Sequence, residues 1–145
     1  MARLSASLPI ALLLAAGAPI VSAQTPSLAP FHGRYSELKG KTFTEEPFSI
    51  SVIDYVRGFG FGFTFRVTNT GNSLASFELG DLAIVGADGN QPIASTTVIY
   101  PLYNLTVART VILPGAHIVR GIDYDYVNYP AKLYYKGRLL AEFTK

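Results

Sequence analysis

Between Phe48 and Phe143, apolar and polar side chains alternate with a period of two, which predicts strands and leaves helices little room. The clearest run is 59–68. Phe59, Phe61, Phe63, Phe65 and Val67 share one parity, and Gly60, Gly62, Thr64, Arg66 and Thr68 share the other. Successive strand side chains point to opposite faces, so this run predicts a phenylalanine-lined inner face and a small or polar outer one. Gly60 and Gly62 weaken such a strand unless a bulky neighbour covers them, and Asn69-Thr70-Gly71-Asn72 ends it as a turn cluster. Phe48, Ile50 and Val52 alternate with Ser49 and Ser51 in a second strand. Leu82 to Val85 is wholly apolar and predicts a strand buried on both faces.

Turn chemistry separates these runs. Asp88-Gly89-Asn90 predicts a hairpin-type turn, and Pro114-Gly115 suits the second and third positions of a type II turn. After it, Ala116, Ile118, Ile122, Tyr124 and Tyr126 make an inner face, with Arg120 as the exception. Lys132–Tyr135 and Arg138–Phe143 flank Lys136-Gly137 as a closing hairpin. Seven or eight strands at regular spacing predict an all-β, antiparallel, immunoglobulin-like β-sandwich over residues 48–145. Residues 24–47 carry Pro26, Pro30, Gly33, Gly40 and Pro47 with little periodicity, and predict an N-terminal arm or linker docked by Phe31 and Tyr35.

The motifs bring a resemblance with them. Phe65-Arg66-Val67-Thr68-Asn69-Thr70-Gly71 resembles the V-x-N-x-G strand end of secreted bacterial immunoglobulin-like domains of the telokin-like group. Leu82-Ala83-Ile84-Val85 through Asp88-Gly89-Asn90 is similar to their following L-x-D-x-x-G hairpin, and Leu113-Pro114-Gly115 to their L-x-P-G turn. In order, these span most of Phe48 to Phe143. The resemblance implies a sandwich used for adhesion, stability or protein contact. Unlike lipoprotein members of that group, this chain has no cysteine to acylate.

The N-terminus changes the picture of where the chain acts. Arg3, an apolar stretch from Leu8 to Ile20 and the small residues of Val21-Ser22-Ala23 read as a signal peptide over residues 1–23, cleaved before Gln24. The stretch contains Pro9 and Pro19 and falls short of the roughly 20 apolar residues of a membrane span, so no stable span is expected after cleavage. An exported chain without cysteine has no disulfides to lean on, which fits a periplasmic or extracellular bacterial protein. Losing Arg3 leaves 11 basic and 10 acidic side chains, that is +1. Basic residues are scattered, so nucleic acid is not an expected partner.

Candidate chemistry is thin. There is no cysteine and no G-x-S-x-G elbow, so a nucleophilic triad would have to be assembled in space from His117 with Asp123 or Asp125. Asp123, Asp125 and Asn128 suggest a calcium site only if Asp81 or Asp88 folds toward them, because calcium takes six to eight oxygens. Glu45-Glu46 and the Asp123, Asp125 pair do not read as carboxylates set across a cleft. The expectation is a protein with no catalytic residues, no metal and no cofactor.

Aromatics remain. Nine tyrosines and no tryptophan are present, and seven of the tyrosines lie from Tyr100 onward. Tyrosine suits interfaces because it combines an apolar ring with a polar tip. Adjacent Tyr134 and Tyr135 must face opposite ways on one strand. The apolar stretch Val98 to Leu105, broken by Pro101, reads as an edge, a crossover or a contact loop. The expected role is a non-catalytic protein-interaction module that contacts an envelope or extracellular protein through Tyr100, Tyr103, Tyr129 and Tyr134. The alternative is glycan binding by the same rings.

Overall fold

The structure is a computed structural model and describes residues 29–57, 60–95 and 109–145. The signal segment and the Pro101 stretch, with Tyr100 and Tyr103, lie outside the described residues. In chain order the strands are β1 (Phe31–Arg34), β2 (Thr42–Glu45), β3 (Phe48–Arg57), β4 (Gly60–Asn69), β5 (Ala75–Glu78), β6 (Leu82–Val85), β7 (Ala94–Ser95), β8 (Arg109–Ile112), β9 (His117–Asp125), β10 (Ala131–Tyr135) and β11 (Arg138–Thr144). Two short 3-10 helices, Tyr35–Leu38 and Leu79–Asp81, join them. One sheet runs β1-β11-β10-β6, a second β2-β3-β4-β9-β7, and β5 with β8 forms a separate ribbon. The chain is an all-β sandwich, antiparallel throughout the described pairings except between β1 and β11. Eleven strands are described where seven or eight are expected from the sequence; β1, β2, β5, β7 and β8, each of four residues or fewer, correspond to no run named from the alternation.

From Phe61 onward the alternation in β4 sorts as predicted, while Phe59 lies outside the described residues. Phe61, Phe63, Phe65 and Val67 are all buried, and β4 pairs along its length with β3 and β9. Phe143 of β11 crosses from the facing sheet to meet Phe61 and Phe63, at ring-centroid distances of 5.6 and 6.2 Å. Phe77 of the ribbon reaches the same interior, edge-on to Phe48 and stacked on Tyr135. Interdigitating inner faces of this kind are what hold a sandwich together. Gly60 has a steric reason to be glycine: a Cβ there would run into the Tyr124 carbonyl of β9.

Several expectations are corrected. Residues 24–47 are not an arm from Phe31 onward. β1 adds to β11, β2 pairs with β3, and Tyr35 and Leu38 are buried. These strands are four residues long and separated by a 3-10 turn, too short to display a period. β6 is covered on one face only, with Leu82 and Ile84 buried and Ala83 and Val85 half-buried. The turn at Asp88-Gly89-Asn90 is present, with Gly89 at φ +80° and the Asp88 carboxylate accepting from Asn90 N–H. It does not close a hairpin, because β7 beyond it pairs with β9 in the other sheet. Tyr126 is not on the inner face of β9: the strand ends at Asp125 and Tyr126 is 54% exposed. The closing hairpin holds, with Lys136 and Gly137 both at positive φ.

Among the described residues, Asn69 alone is a buried polar residue, and it is fully satisfied. Its N–H donates to Ala116 O and its carbonyl accepts from Gly115 N–H. Its side-chain amide donates to Ser73 O at 2.8 Å and Ile112 O at 2.9 Å, while Oδ1 accepts from Gly71 N–H. Asn69→Ala leaves those carbonyls stranded and is expected to cost about 3 kcal/mol. Asn69→Asp, which keeps the acceptor and loses both donors, is expected to be nearly as harmful. Urea titrations of the two variants check this; losses within error of zero would show that the amide contributes nothing.

Tyr135 supplies a pH prediction. Its hydroxyl is buried with no hydrogen-bond partner among the described residues, and desolvation, with Asp81, Glu45 and Glu78 nearby, pushes its pKa from 10.0 to about 12. The folded chain then keeps a proton that the unfolded chain releases, so this group's contribution is intact below the ordinary tyrosine value and is lost as pH climbs toward the raised one. Tyr135→Phe is expected to leave stability near neutrality unchanged and to reduce the alkaline loss, read from denaturation midpoints at neutral and strongly alkaline pH.

Candidate functional site

Five segment ends converge at one end of the sandwich because of register. Arg34, the last residue of β1, lies opposite Thr144 of β11; Gly60, the first of β4, lies opposite Asp125, the last of β9; Ala131 of β10 lies opposite Phe143. Tyr35, Phe61, Tyr126, Tyr129 and Lys145 are therefore neighbours although the sequence scatters them. With Ser36 and Gly60 they line a cleft of about 480 Å³.

Its rings are arranged as a corner. The exposed Tyr126 ring lies face to face on buried Phe61, with centroids 5.7 Å apart and planes 12° apart. Tyr129 stands nearly perpendicular to both, at 76° to Tyr126 and 84° to Phe61. Behind them Tyr35 sits edge-on to Phe61, and its hydroxyl donates to Gly62 O at 2.7 Å. Burial raises the Tyr35 pKa far above its ordinary value, so this hydroxyl stays a neutral donor at physiological pH. An exposed ring held flat by a buried one loses little conformational freedom when something stacks on its outer face.

The structure brings only some of the expected site residues together. Tyr129 is half-buried and lines the cleft. Tyr134 is half-buried on the outward side of β10, between Ala83 and Leu139 across the strands, and is not part of the cleft. Tyr135, its neighbour, faces inward as expected. Tyr100 and Tyr103 lie outside the described residues. Reading strand residues in sequence misses Tyr126 as a surface ring, since parity was carried one residue beyond the end of β9. Pro130 and the irregular Val127-Asn128 step are the signals that the strand has stopped.

The chemical candidates fall apart in space. His117 and Asp123 are six positions apart on one strand, about 20 Å at strand rise. Asp88 does fold toward Asn128, but as a hydrogen-bond acceptor, with Asn128 Nδ2 at 3.1 Å from Asp88 Oδ2. Among the described residues no three histidines or acids are grouped to hold a metal ion. Asp123 is half-buried, and desolvation raises its pKa. Glu45 faces Arg138, whose Nη2 lies 2.6 Å from Glu45 Oε1, while Glu46 points to a shallow hollow with Thr70 and Asn72. No helix among the described residues is long and apolar enough to cross a membrane.

Comparison with known proteins bears on the fold. No family model matches the chain, and no curated protein matches it. Among solved structures, the yjhA protein from Bacillus subtilis is similar, with a TM-score of 0.57 and 13% sequence identity over 79% of this chain and 87% of that one. At that identity the likeness establishes the shared sandwich architecture.

The site separates a ring that serves the fold from one that does not. Phe61→Ala is expected to cost about 3–5 kcal/mol, as for other buried aromatics. Tyr126→Ala should cost less than about 1 kcal/mol, as for an exposed side chain. Chemical denaturation of both checks this; equal losses would make Tyr126 a core residue and remove it as a contact ring.

Proposed function

We propose that this chain is a non-catalytic, exported protein-interaction module that takes an extended segment of an envelope or extracellular protein into the Tyr126–Tyr129 cleft. The observation that carries the reading is the Tyr126 ring, mostly exposed yet fixed against Phe61, with Tyr129 making a second wall. Evenly balanced charge and a cleft walled by rings favour contact by stacking and shape over electrostatic capture. Export rests on the signal-like first 23 residues. Membership of the telokin-like extracellular group is part of the same reading. Supporting it, the V-x-N-x-G and L-x-P-G residues are joined to each other, since Asn69 bonds to Gly115, Ala116 and Ile112.

A second reading, glycan binding, is favoured by the same corner of rings, because a pyranose stacks on an exposed tyrosine as readily as a peptide does. Two measurements, capture from extract and migration in polysaccharide gels, separate the readings. The chain from Gln24 to Lys145 is immobilised, exposed to envelope extract from its source, and compared with Tyr126→Ala and Tyr129→Ala. The expected result is one saturable protein whose retention falls at least about tenfold in both variants, the loss of a hot-spot ring. Retention untouched by either substitution sinks the cleft as the contact. Loss of migration in gels containing soluble polysaccharide, without protein capture, transfers the site to glycans.

A further inference from the structure

The opposite end of the molecule carries a surface that the cleft reading does not use. In the β5–β8 ribbon, Ala75, Ser76, Phe77 and Glu78 lie across from Ile112, Val111, Thr110 and Arg109. Alternation turns Phe77 and Ile112 into the core and leaves the other parity outward. The outward parity pairs Ser76 with Val111 and Glu78 with Arg109, and continuing the register one step past the Ala75–Ile112 pair sets Leu74 beside Leu113. Leu74, Val111 and Leu113 are 63%, 61% and 63% exposed, so three large apolar side chains stand together in water. They are rigidly mounted, because the Asn69 amide holds Ser73 O and Ile112 O, the carbonyls just before Leu74 and Leu113. The charges at the other end are solvent-exposed, with Arg109 Nε bonded to Ser76 Oγ at 2.7 Å and 3.9 Å from Glu78 Oε1.

We propose that this outward face of the ribbon joins two copies of the chain about a two-fold axis lying along the ribbon. That rotation sets β8 of each copy over β5 of the other. Leu113 then meets the second copy's Leu74, Val111 covers its Ser76, and Arg109 meets its Glu78. The same operation therefore matches apolar with apolar and base with acid, and this self-complementarity selects a second copy over an unrelated partner. Strongly acidic or basic surfaces would not pair with themselves in this way. The apolar area is roughly a few hundred Å² per copy, below the roughly 800 Å² per partner of a permanent interface, so the dimer is weak and concentration-dependent.

The test is sedimentation equilibrium of the full mature chain from low micromolar to near-millimolar concentration. The wild type is expected to shift from monomer to dimer across that range. Leu113→Asp, at an exposed position, is expected to weaken association by at least about tenfold while leaving the denaturation midpoint in place. Charge variants separate contacts between copies from contacts within one. Arg109→Glu makes the patch doubly acidic and Glu78→Arg makes it doubly basic, so each variant alone is expected to stay monomeric. Their equimolar mixture is expected to form a mixed dimer, which no rearrangement within one chain explains. A wild type that is monomeric at every concentration overturns the proposal, as does a dimer indifferent to Leu113→Asp or a charge-variant mixture that stays monomeric. None of these outcomes depends on the Tyr126 cleft.

Discussion

Where β4 runs out, the sandwich needs the end of one sheet, the start of β9 and both strands of the ribbon to meet inside an apolar interior. Main-chain groups there have no water to bond, and an unpaired one would cost on the order of a few kcal/mol. Asn69 meets that demand. Its backbone pairs with Gly115 and Ala116 and its side chain with Gly71, Ser73 and Ile112, so one fully buried residue connects four segments. Two N–H donors and one acceptor on a short side chain are required, which aspartate, serine or alanine does not provide. Gly115, at φ +74°, completes the arrangement from the turn side.

From that fixed point β4 carries its row of phenylalanines to the other end of the molecule, and the two ends divide the work. At one end a polar hub satisfies backbone groups and holds the ribbon with its exposed leucines. At the other, aromatic packing takes over: Phe61 touches Tyr35, Tyr126, Tyr129 and Phe143 at centroid distances between 5.3 and 5.7 Å. Phe61 thus belongs both to the core and to the floor of the cleft. The exposed Tyr126 ring is thereby seated on a side chain of the core itself.

Much of this was legible in the residues. The period of two in 48–52, 60–68 and 116–124, the turn chemistry at Gly89, Gly115 and Lys136-Gly137, and the opposed faces of Tyr134 and Tyr135 all correspond to the observed strands and burial. Where local pattern was weak or ended, reading failed. The four-residue strands β1 and β2 are too short to show a period of their own, and they are held by pairing with β11, far along the chain, and with β3. The turn at Asp88-Gly89-Asn90 was correct in chemistry but silent about which sheet the chain enters next.

The site divides along the same line. Sequence by itself determined the all-β class, the inward phenylalanine row, the absence of cysteine chemistry and an excess of tyrosines, because these follow from side-chain type and from a periodicity within single strands. Tertiary structure alone decided which tyrosines meet. Tyr35, Phe61, Tyr126 and Tyr129 gather because the register of β1, β4, β9, β10 and β11 brings five chain ends to one place, while Tyr134 is left on an outer face. Pairing register and strand ends are set by hydrogen bonds between segments far apart in the chain, and no local alternation encodes them.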